Sequence, residues 1–208
     1  QITATAVSGE ENVVLIDGNV MQPAENTTIY TVPVNNNDNY GVSQQYYTKS
    51  EIGKDEGIIT YIAFKTAKDA GTYIRDIEIY MANTDESDFG SGKVMKQMTN
   101  LVYSDKVQFS SNSWIKIPLT TEFTYTGNNI LVCINDKTGS QIDPLTSHFD
   151  TYAKGYNDNF RTLYKSGATA LDPTSEIVEA NRIGFTPFVK FTFEQELPIV
   201  LEGSKQIV

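Results

Sequence analysis

SWIKIPLTTEFTYTGNNILVCINDKTG, residues 113–139, decides how this chain is read. Its second half contains Ile130-Leu131-Val132-Cys133-Ile134, apolar at odd and even positions alike. Successive side chains of a strand point to opposite faces, so only a strand covered on both sides has reason to look like this. Upstream, Ile115, Ile117 and Leu119 alternate with Trp114, Lys116 and Pro118, the pattern of a strand with one packed and one wet face. Pro118 cannot donate to a ladder and marks an edge or a strand end. Phe123-Thr124-Tyr125 then reads as an aromatic connection, and Gly127-Asn128 as the turn into the apolar strand. A strand buried on both faces beside alternating ones predicts an all-β fold, a two-sheet antiparallel β-sandwich, jelly-roll-like.

The rest of the chain extends this pattern. Gln44-Gln45-Tyr46-Tyr47 reads as an edge strand running into a short turn near Glu51-Ile52-Gly53. Residues 58–65 (IITYIAFK) form a strand entered after Gly57. In residues 73–81, Ile77, Ile79 and Met81 share one face while Asp76, Glu78 and Tyr80 share the other, as expected of an outer strand. Asn100–Tyr103 and Lys106–Phe109 read as two short strands around Ser104-Asp105. Residues 147–152 and 160–164 are further candidates, and the regular alternation of residues 188–193 makes the last core strand. Nine to twelve strands at sandwich spacing are expected. Residues 1–35 form an N-terminal β segment packed on or extending the sandwich, 36–193 the core, and 194–208 an edge strand or linker to a following module.

Composition narrows the function. Twenty-six acidic against 16 basic residues give a net charge of −10, which repels phosphate backbones and anionic headgroups and argues against nucleic acid. No apolar run is long enough to cross a bilayer, so membrane insertion is not expected. Cys133 is the only cysteine, which precludes an internal disulfide, and its place in the apolar strand suits a small buried hydrophobe. The chain begins at Gln1, so a processed protein or an excised fragment is expected, with any targeting segment outside it.

Several quoted segments resemble a jelly-roll-like β-sandwich module of exported multidomain proteins of Bacteroidetes, found beside fibronectin-type or adhesin-like repeats. The resemblance rests on Ser43-Gln44-Gln45-Tyr46-Tyr47 with Glu51-Ile52, on Gly57-Ile58-Ile59, and on an Asp-rich loop ending at Phe89. It continues through Trp114–Leu119, Phe123–Gly127, Asn129–Val132 and Asn135–Gly139. It spans residues 40–193 and carries over no catalytic residue. It implies an extracellular or outer-membrane surface module that binds or adheres without catalysis and forms part of a larger precursor.

Catalysis finds little support among the residues. His148 is the only histidine; Asp150 lies two residues away, yet no Gly-x-Ser-x-Gly elbow accompanies them, and a multi-histidine or multi-cysteine zinc site is impossible. Carboxylates abound, but nothing in the sequence pairs two of them across a glycosidic bond. Aromatic rings suited to stacking on sugar faces are better represented: Tyr40, Tyr46, Tyr47, Trp114, Tyr152 and Tyr156. Loop oxygens at Asn37, Asp38, Asp85, Asp88, Asn135, Asp136 and Asp158 could hold a structural Ca²⁺. The expected function is therefore binding or adhesion, to carbohydrate or to a host or matrix protein. The rivals are a structural accessory domain of a larger secreted enzyme and a glycosidase or lyase on the same sandwich.

Overall fold

The computed structural model describes residues 3–4, 12–16, 32–35, 37–68, 71–142, 151–152, 160–194 and 201–202. The elements are β1 (Thr3–Ala4), β2 (Asn12–Ile16), β3 (Tyr40–Tyr47), α1 (Lys49–Ile52), β4 (Gly57–Lys65), β5 (Thr72–Thr84) and β6 (Leu101–Ser110). They continue with β7 (Trp114–Tyr125), β8 (Asn129–Asp136), β9 (Thr151–Tyr152), β10 (Thr162–Gly167), β11 (Asn181–Ile183), β12 (Thr186–Pro187), β13 (Val189–Phe193) and β14 (Leu201–Glu202). Two antiparallel sheets make the sandwich: β11-β10-β3-β8-β5-β6 and β2-β13-β4-β7. Two short pairs, β1 with β14 and β9 with β12, complete the described strands.

The apolar strand β8 lies between β3 and β5. Ile130, Val132 and Ile134 point into the core between the sheets, beside Ile62, Phe64, Ile117, Phe191 and Phe193 of the four-stranded sheet. Leu131 and Cys133 point the other way, into a second cluster with Tyr46, Tyr80, Met95, Met98, Leu163 and Ile177. That second cluster exists because two connections fold over the outer face of the six-stranded sheet. They are tied together where Met95 bridges Ile177 and where the Met98 amide donates to the Pro173 carbonyl at 2.8 Å. The six-stranded sheet is thus packed on both faces, and the alternating strands of the other sheet are packed on one.

Four expectations need correction. β3 is an interior strand between β10 and β8, not an edge; Gln44 is buried because its amide both donates to and accepts from the Lys96 backbone, at 2.7 and 2.8 Å. β5 is also interior, flanked by β8 and β6, and Tyr80 on its supposedly wet face is buried under the covering connections. Residues 101–110 make one edge strand, in which exposed Ser104, Asp105 and Lys106 continue the pairing with β5 rather than turning. Residues 123–125 belong to β7, which runs past Pro118 to Tyr125; the proline sits at a register shift against β4 on the outermost strand, where a missing donor costs least.

Local chemistry fixes the junctions. The turn into β8 requires Gly127, at φ +80°, because a Cβ there would lie 2.0 Å from the Asp55 carbonyl oxygen. α1 begins with a reciprocal cap between Thr48 and Glu51 and ends at Gly53 in the left-handed conformation. At one end of the sandwich Arg75, fully buried, donates from Nε to Asp136 Oδ2 at 2.7 Å and to the Ser140 and Asp38 carbonyls. One guanidinium thereby holds β5, the end of β8 and two loops.

Candidate functional site

The outward face of the four-stranded sheet is where side chains with binding chemistry gather. Register places Leu15, Lys190, Ala63 and Lys116 in one row across β2, β13, β4 and β7. Val13, Thr192, Tyr61 and Pro118 form the next row, and Lys65 opposes Trp114 on the other side. The inward residues of these strands fill the core, so alternation turns this set to the outside. Trp114 and Tyr61 are half-buried, Lys116 is exposed, and Leu15 is 47% exposed. Ala63, though outward and small, is only 5% exposed, because the longer side chains around it close over it.

Lysine and aromatic side chains pair on this face. The Lys190 ammonium stands 4.3 Å from the centre of the Trp114 ring, and that of Lys116 stands 4.2 Å from the centre of Tyr61. Such contacts are worth about 0.5–1 kcal/mol when exposed and more when desolvated. Lys65 Nζ donates to Asn112 Oδ1 at 3.0 Å. Among the outward positions of the four strands, Glu122 is the sole carboxylate against three lysines. In a chain with ten more acids than bases, these described strand positions carry the opposite sign.

Of the residues expected to bind, Trp114 is placed on this surface. Tyr46 and Tyr47 are not available to a ligand: both are fully buried, Tyr46 donating to Glu86 at 2.7 Å and Tyr47 to the Pro187 carbonyl at 3.0 Å. Their rings were expected to stack on a sugar, but both are enclosed and each hydroxyl is held by an internal acceptor. Tyr40 is half-buried at the start of β3, on the other sheet. The Tyr152 side chain and Tyr156 lie outside the described residues, as do Asp158 and His148.

The proposed calcium donors are dispersed. Asp38 Oδ2 accepts from Asn35 at 3.0 Å and from Ser166 at 2.6 Å, and the Asn37 amide donates to Asn35. Asp85 accepts from Asn128, and Asp88 accepts from the Gly90 amide. Asp136 is buried against Arg75 and Thr138, which makes it an internal ion-pair partner rather than a cation ligand. Asn135 donates to Glu78. Among the described residues no three His, Cys, Asp or Glu side chains converge as a metal would need. Asp85, Glu86 and Asp88 border an open concavity of about 550 Å³ that also reaches Phe89 and Lys96. Lys96 bonds Glu86 at 2.8 Å, and with Tyr46 it holds that carboxyl below its usual range.

A second polar group lies on the outer face of the six-stranded sheet. Glu78 Oε2 accepts from Tyr80 and Asn135 at 3.0 Å each, and Oε1 pairs with Lys137 at 2.9 Å. Burial pushes Glu78 up, but these donors outweigh it and the carboxyl sits below the ordinary range. A carboxylate satisfied by three donors is stabilised as an anion, which fits a structural anchor better than a proton donor. Cys133 is fully buried, and desolvation pushes its thiol up to about 12, so it is not a nucleophile.

Tyr61, Lys65 and Lys190 were not singled out by sequence. Each sits at an outward parity of a readable strand, but only the order β13-β4-β7 shows that they surround Trp114. No protein-family model, no curated protein and no solved structure matches this chain. Among the described residues no helix is long and apolar enough to cross a membrane.

Proposed function

We propose that this chain is a non-catalytic binding or adhesion module of an exported protein, and that it takes carbohydrate on the outward face of the four-stranded sheet. The observation that carries the reading is the half-exposed Trp114 set among Tyr61, Lys65, Lys116 and Lys190 on a rigid sheet surface. A wide, shallow aromatic surface with polar groups at its rim suits an extended polymer better than a small enclosed substrate. Glu51, Glu78, Glu86 and Asp136 are each engaged by neighbouring cations and hydroxyls rather than opposed across a cleft. The resemblance of residues 40–193 to exported surface modules supports a place outside the cell.

A panel of immobilised glycans and matrix proteins tests this reading, with wild type and Trp114→Ala compared at equal thermal stability. Retention of at least one glycan by the wild type, weakened at least tenfold by Trp114→Ala, is the expected result. Binding to matrix protein alone, or glycan binding indifferent to Trp114, would replace this reading with another.

A further inference from the structure

We infer that the ligand of this face is an acidic polysaccharide bearing carboxylates, a uronate-containing glycan, rather than a neutral one. The inference rests on the binding role proposed above and adds the chemical class.

The rings that a neutral sugar would stack upon already carry cations. Lys190 covers Trp114 at 4.3 Å and Lys116 covers Tyr61 at 4.2 Å. A neutral pyranose reaching either ring would have to displace an ammonium and offer only hydroxyls in exchange. A carboxylate draws the ammonium toward itself by charge, and the same movement opens the ring to the sugar's C–H face. One ligand then satisfies both halves of each pair.

Spacing and charge balance favour a sparse polyanion. Lys190 opposes Ala63 on the neighbouring strand and Lys65 lies two residues along β4 from Ala63, so the two lysines are rooted roughly 8 Å apart, within the length of about two pyranose rings. Two lysines at this spacing match one carboxylate per ring or per pair of rings. A densely sulfated or phosphate polymer would extend beyond the lysines onto a surface dominated by acids, in a chain of net charge −10.

The full chain is titrated with polygalacturonate, its methyl-esterified form, neutral dextran, heparin and single-stranded DNA, following Trp114 fluorescence. It is the single tryptophan of the chain, so its signal reports this face. Polygalacturonate is expected to bind and perturb the emission, with log affinity falling against log salt at a slope of about −2 for two to three released counterions. Esterification should weaken binding at least tenfold. Lys65→Gln with Lys190→Gln should do the same with the melting temperature kept, while Lys190→Arg retains binding. Equal binding of the esterified polymer or dextran would overturn the acidic class and leave the glycan-binding role standing. Preference for heparin or DNA would overturn the sparse-carboxylate assignment. Binding of no glycan here or on the panel would remove both readings.

Discussion

Removing the Arg75 side chain should be among the costliest single changes in this protein. The guanidinium has no exposed surface and Asp136 only 1%. Arg75 donates to Asp136 at 2.7 Å, to the Ser140 carbonyl at 2.7 Å and to the Asp38 carbonyl at 3.2 Å. With Arg75→Met, the Asp136 carboxylate stays in the interior with Thr138 as its remaining donor. Breaking a buried pair from one side costs about 3–5 kcal/mol. At about 2–4 °C per kcal/mol for a chain of this size, the melting temperature should fall by roughly 10 °C. Replacing both partners, Arg75→Met with Asp136→Leu, removes the stranded charge, and the double variant should be markedly more stable than either single one. Chemical denaturation of the four proteins gives the coupling energy directly. A loss under about 1 kcal/mol for Arg75→Met, or strict additivity in the double variant, would refute the claim that this pair pins the end of the sandwich.

Four further outcomes are expected. Gln45 is fully buried in β3, and among the described residues neither end of its amide has a partner; Gln45→Met should stabilise by about 1–2 kcal/mol, measured by denaturant midpoint, and a loss of stability would show the amide is satisfied. Gly127→Ala should cost about 2–3 kcal/mol, since a Cβ would meet the Asp55 carbonyl at 2.0 Å; an unchanged melting temperature would contradict that approach. Burial pushes the Glu51 carboxyl up, but Arg161 and the Thr48 donors outweigh it, so its folded pKa lies below the ordinary 4.5. Its contribution is therefore present above that pH and lost as pH falls through the lowered value, and the stability gap between wild type and Arg161→Met should shrink between about pH 5 and pH 3; a constant gap would place the interaction elsewhere. Lys190→Ala should shift the Trp114 emission, because the ammonium stands over the ring; an unaltered spectrum would count against the pairing.

How much was readable in advance depended on whether the cause was local. Ile130–Ile134 announced its position because both faces of β8 are apolar, and the two clusters that bury it account for each residue in turn. β3 was misread because Gln44 and Gln45 look like edge residues. The backbone groups that make Gln44 tolerable inside belong to Lys96, 52 residues along the chain. Tyr46 and Tyr47 misled for the same reason, since their acceptors, Glu86 and Pro187, are 40 and 140 residues away. On the candidate surface, parity alone placed Trp114 and Lys116 outward. Their partners Lys190 and Tyr61 came from strands whose adjacency no local pattern encodes.

The most direct measurement is the fluorescence of Trp114 during titration with polygalacturonate at low and high salt. A saturable change that salt abolishes, and that is absent in the Lys65→Gln, Lys190→Gln protein, is the predicted result. Emission that does not respond to any glycan, while the protein remains folded, would contradict the assignment of this sheet face as the binding surface.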